Sequence, residues 1–149
     1  MDQDEARDAL AAMQGAKDRL ATAMDYPLWR HGVFGVICGL LVVTPAAPPP
    51  LFAALYLPTM AALLWLARGD KARTGVFVNG WRMGRTLPVS ILLLLVLLGL
   101  MALARRGHGL PFPAPVTLLA GGVAMVLGTL SSIWWQRVYI AELTRGEQP

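Results

Sequence analysis

Three stretches of this chain are free of charge and of histidine: residues 32–67, 86–104 and 109–136. Runs this long and apolar predict membrane-spanning helices. The first run holds two spans, because Thr44 to Pro50 (TPAAPPP) interrupts it: successive prolines remove backbone donors and clash with the preceding turn. The pattern therefore predicts spans at about 28–43, 51–67, 87–104 and 115–135. At about 1.5 Å per residue the first two cover roughly 25 Å, slightly less than a hydrocarbon layer of approximately 30 Å, so little tilt is expected of them.

Ahead of the spans the pattern changes period. Ala6, Leu10, Met13, Leu20 and Met24 recur at spacings of three and four, with Lys17 in the remaining seam position. This predicts an amphipathic helix with a heptad-like stripe. Asp2, Asp4 and Glu5 suit its N-terminal dipole. Pro27 disfavours helical geometry at Tyr26, so the helix should end near Asp25, whose side chain is placed to cap the first span. The expected fold class is an all-α membrane protein, a bundle of four transmembrane helices plus an N-terminal amphipathic cytoplasmic helix. Its divisions are the soluble helix in 1–26, the transmembrane domain in 27–136 with a basic loop at 68–86, and a tail at 137–149.

Charge supplies the orientation. Arg7, Lys17, Arg19 and Arg30 precede the first span, Arg68, Lys71, Arg73, Arg82 and Arg85 lie in the central loop, and Arg137 and Arg145 in the tail, against only Arg105 and Arg106 on the other face. Positive residues stay inside, which predicts cytoplasmic termini and a cytoplasmic central loop. Trp29, Trp65, Trp81, Trp134 and Trp135 fall on that same face, where an interfacial belt belongs. A cleaved leader with its apolar core at 32–43 is not expected, since the acid-rich residues 1–31 precede it.

The stripe of the first helix needs a cover, and three are open: the membrane surface, a second copy, or a different protein. Residues 1–25 carry six acids against three bases, a balance that anionic lipid repels. A protein surface is the better expectation, with Leu10, Met13, Lys17, Leu20 and Met24 as partner-binding residues. The central loop, which holds five bases and Asp70, could receive the acidic helix within the protomer or across a dimer. Asn79-Gly80 within that loop allows a tight hairpin turn, while Phe77, Trp81 and Leu87 equally allow an interfacial helix. Its glycines fit neither dinucleotide nor P-loop spacing. Nucleic acid is not expected either; Arg73, Trp81, Arg82 and Arg85 are better placed for lipid headgroups or docking.

The segment Val78-Asn79-Gly80-Trp81-Arg82 with Gly84-Arg85, the opening helix from Glu5 to Leu20 and the span start at Trp29 resemble small four-span bacterial inner-membrane proteins of unknown function. The resemblance implies a multi-pass location in the bacterial inner membrane and carries no activity.

The spans bear on chemistry mainly through what they omit. Short four-helix multidrug exporters are similar in length and span count, but the proton-coupled carboxylate of their first span has no counterpart in residues 32–43. Ser90, Thr117, Thr129, Ser131 and Ser132 are expected to bond backbone carbonyls or neighbouring helices, with no activating His, Lys or Asp at membrane depth. His31 and His108 should lie on opposite faces, Cys38 is the single cysteine, and no cluster has metal-ligand spacing, so no cofactor is expected. Small residues at Gly35 and Gly39, and at Ala120, Ala124, Gly128 and Ser132, recur every four positions and mark helix-packing faces. Pro58 should bend the second span or leave a carbonyl free beside a cavity, and the leucine-rich third span should face lipid. The expected function is that of a non-enzymatic accessory or interaction protein whose N-terminal helix and basic loop form a docking surface. The alternative is a small oligomeric uncoupled transporter or channel.

Overall fold

A computed structural model describes residues 3–23, 25–74 and 86–145. It contains five α-helices: α1 (Gln3–Ala23), α2 (Leu28–Val43), α3 (Pro49–Thr74), α4 (Thr86–Ala104) and α5 (Pro115–Arg145). Short 3-10 turns at Thr44–Ala46 and Arg105–Gly107 extend α2 and α4. There is no strand among the described residues. Four helices, α2 to α5, are long and apolar enough to cross a membrane. The protein is an all-α, multi-pass membrane bundle with one further helix at its N-terminal end.

Two of these helices outrun the apolar runs that announce them. The proline run breaks the chain only at Ala47 and Pro48: Ala47 is extended, and the Pro48 carbonyl accepts from the amides of Leu51 and Phe52. Pro49 and Pro50 sit in the first turn of α3, where a missing N–H removes no helical bond. At its other end α3 continues through the charged residues to Thr74. Its 26 residues reach about 39 Å, so the helix is longer than the apolar segment expected at 51–67. Likewise α5 runs 31 residues to Arg145. Both emerge from the apolar zone as continuous helix, because Lys and Arg are good helix formers and nothing there stops the ladder.

The four helices alternate in direction. One end of the bundle gathers the start of α2, the end of α3, the start of α4 and the end of α5, and α1 joins at that end. Helix α2 packs most extensively on α5, α4 lies along α5, and α3 is attached mainly to α2. Val42, Ala104, Ala120 and Ala124 form a fully enclosed cluster near the opposite end, with Leu97 and Leu100 against it. Most large apolar side chains instead face outward, among them Leu92, Leu95 and Leu98 of α4 and Leu118 and Leu119 of α5. An apolar exterior around a small-residue interior is the arrangement lipid favours, since lipid tails are as apolar as leucine.

The α2–α5 contact is close because its glycines lack side chains. A Cβ on Gly35 would lie 2.0 Å from Thr129 Oγ1 and 2.5 Å from the Met125 carbonyl oxygen. On Gly39 it would meet the Gly121 carbonyl at 2.9 Å, and on Gly128 it would meet Cys38 at 2.9 Å. Ala120 and Ala124 are buried on the same helix. The faces carrying Gly35 and Gly39 and carrying Ala124 and Gly128 are thus brought together.

Candidate functional site

The polar side chains of the bundle gather at the end where α1 joins. Tyr26, in the link between α1 and α2, is buried, with the Arg30 guanidinium 3.9 Å above its ring and that of Arg73 at 5.9 Å. Arg30 donates from Nε to Asp70 Oδ1 at 2.8 Å and from Nη2 to Asp70 Oδ2. This two-point ion pair, with side chains only 17% and 27% exposed, ties the start of α2 to the extension of α3. Burial raises the pKa of the Tyr26 hydroxyl, and the Asp70 carboxylate adds to the effect.

Next to Arg30 on α2, His31 is 2% exposed and its Nδ1 lies 2.8 Å from Ser132 Oγ. Ser132 thus bonds a neighbouring helix, as expected of the span hydroxyls, through an imidazole buried within the bundle. Three of the other hydroxyls turn to carbonyls: Ser90 to Thr86, Thr117 to Ala104 and Thr129 to Met125. A serine on an imidazole is half of a nucleophile–base arrangement, which also needs a group that orients the base. Of the carboxylates at this end, Asp70 meets Arg30, and Asp25 accepts from Gln136 Nε2 at 3.2 Å. That bond corrects the capping role expected of Asp25; the N-cap of α2 is Pro27, which makes no side-chain cap bond.

Beside this cluster, between α2, α4 and α5, lies a cavity of about 240 Å³. Arg30, Ser131, Ser132 and Trp135 supply its polar wall, Phe34 and Leu93 part of its apolar one. The Trp135 ring stacks on Tyr139 at 5.1 Å, and its buried indole N–H has no hydrogen-bond partner among the described residues. A buried donor left unpaired costs roughly 1–3 kcal/mol, so this one marks a place where an acceptor would be welcome.

Trp29 and Trp65 meet with ring centroids 6.4 Å apart and are exposed, as is Trp134, so a tryptophan belt encircles this end. His108 is exposed at the opposite end, beyond α4. Among the described residues no three metal-ligating side chains converge. Pro58 lines an apolar groove of about 500 Å³ between α2 and α3.

The expected docking residues divide. Leu10 and Met13 lie on α1 and are 62% and 53% exposed, and Arg68, Lys71 and Arg73 are exposed on the α3 extension. Met24, Trp81, Arg82 and Arg85 lie outside the described residues, as do the side chains of Lys17 and Leu20 and the choice between hairpin and interfacial helix at Asn79-Gly80. Sequence reasoning missed the Arg30–Asp70 and His31–Ser132 pairs, whose members stand 40 and 101 positions apart with no local pattern joining them. No family model matches the chain, and no curated protein or solved structure matches it.

Proposed function

We propose that this chain is a non-enzymatic accessory protein of the bacterial inner membrane that docks a protein partner through α1. The observation that carries the reading is the apolar stripe of α1: Leu10 and Met13 are exposed on a 21-residue helix with Asp4 and Glu5 in its first turn. An exposed apolar stripe rimmed by charge is the mark of an interaction surface. The basic α3 extension stands at the same end and offers Arg68, Lys71 and Arg73 to an acidic surface. The Lys and Arg count supports a cytoplasmic position for this end. Nothing in the reading calls for nucleic acid or a cofactor.

The test places a photo-crosslinking side chain at Leu10 in full-length protein in native membranes, with and without Met13→Asp. One discrete crosslinked partner that disappears with Met13→Asp is the expected result. Crosslinks only to lipid, or a pattern that Met13→Asp leaves unchanged, would overturn it. Orientation is tested separately by single cysteines at positions 10 and 108, in a Cys38→Ser background. A membrane-impermeant maleimide added to intact cells should label position 108 and spare position 10.

A further inference from the structure

We propose that the cavity between α2, α4 and α5 binds one membrane glycerophospholipid by its phosphate and glycerol ester oxygens. Size narrows the ligand first. About 240 Å³ is many times the roughly 10–15 Å³ that admits a single water, yet below the roughly 300 Å³ at which pockets for whole small molecules begin. The cavity suits part of a larger ligand. Its walls then set the chemistry of that part. Trp135 brings an indole N–H with no partner, Ser131 a hydroxyl, and Arg30 a guanidinium whose bonds to Asp70 use Nε and Nη2, leaving Nη1 donors beyond that pair. Donors predominate, so the ligand must bring acceptors.

Phe34 and Leu93 stand one helical turn deeper than Arg30 and Val89, so the same ligand must also be apolar on its inner side. Depth settles the source. The cavity lies at the level of Trp29, Trp65 and Trp134, where a bilayer presents phosphates and ester carbonyls above its acyl chains. A phosphodiester flanked by esters has several acceptors, no donor of its own at the phosphate, and chains attached on one side.

The experiment uses full-length protein in detergent and native mass spectrometry, with phosphatidylglycerol as the probe and diacylglycerol and inorganic phosphate as comparators. Wild type should retain one phosphatidylglycerol. Trp135→Phe keeps an aromatic ring against Tyr139 while removing the N–H together with part of the indole ring, and should weaken retention at least about fivefold, the worth of one hydrogen bond. Leu93→Trp fills the apolar wall without touching a donor and should abolish it. Equal retention by Trp135→Phe and wild type would overturn the site. So would diacylglycerol binding as well as phosphatidylglycerol, which would remove the phosphate from the argument, or inorganic phosphate displacing the lipid outright, which would assign the donors to a free anion. Trp135→Phe alone carries the decision if Leu93→Trp does not fold.

Discussion

Helices α2 and α5 approach until no Cβ fits at Gly35, while α3, comparable in length and apolarity, lies against α2 across a groove of about 500 Å³. Hydrophobicity does not separate these regions, because inside a membrane it drives neither contact. Side-chain size and polar pairing do. Where α2 and α5 offer glycine and alanine, backbones touch; where α3 offers Leu57, Leu64 and Tyr56 it leaves them exposed to the surroundings. At the tryptophan end α3 is held by two specific contacts, Arg30 with Asp70 and Trp29 with Trp65.

The hardest blow to this contrast is Gly35→Val. Its Cβ would press on the Met125 carbonyl, a backbone atom that moves only if α2 and α5 part. Overpacking of this kind costs roughly 1–3 kcal/mol or more, and the variant should unfold earlier in a detergent thermal scan. Gly122→Ala is the matched control: nothing lies within 4 Å of its Cβ, so it should be neutral or slightly stabilising. Equal losses from the two would mean that the seam is not close-packed.

Second in size is the attachment of α3. Arg30→Ala leaves Asp70 part-buried beside Tyr26, and a loss of about 1–2 kcal/mol is expected, below the roughly 3–5 kcal/mol of a fully buried pair because water reaches both side chains. A disulfide trap between the ends of α2 and α3 should form more slowly in this variant. The reversed pair, Arg30→Asp with Asp70→Arg, should recover part of the rate. If Arg30→Ala leaves trapping unchanged, the ion pair does not hold α3.

How much of this contrast could be read from the sequence depends on the range of each signal. Charge-free runs are local, so the four spans were legible, and so were the small faces at Gly35, Gly39, Ala124 and Gly128. Gly121 was not singled out, because it stands one position off the four-residue spacing, yet a Cβ there would lie 2.4 Å from Val43. The ends of α3 and α5 were obscured because charge marks where lipid stops, not where a helix stops. The pairs Arg30–Asp70 and His31–Ser132 depend on which helices become neighbours, and periodicity within a single helix holds no record of that.

Alkaline titration sharpens the picture of the α3 attachment. The raised pKa of Tyr26 means that its neutral phenol is favoured in the fold. That stabilisation is complete below the ordinary tyrosine value of about 10 and is lost as pH rises from there through the folded value. Wild type should therefore lose thermal stability above about pH 10 more steeply than Tyr26→Phe. Parallel curves would show that the phenol does not sense its burial.

The smallest expected effect falls on the region that belongs to neither side of the comparison. Leu10→Asp with Met13→Asp alters two side chains that are mostly exposed on α1, so the thermal midpoint of purified protein should move by less than about 0.5 kcal/mol equivalent. The same double variant should abolish crosslinking from a neighbouring α1 position to the proposed partner. A bundle residue such as Gly35 is expected to behave in the opposite way, with a large stability change and any loss of docking caused by unfolding. The pair of measurements thus separates a surface built for a partner from one that the chain itself needs. A large destabilisation by Leu10→Asp with Met13→Asp would place the stripe against the protein's own surface and remove the docking reading's main support.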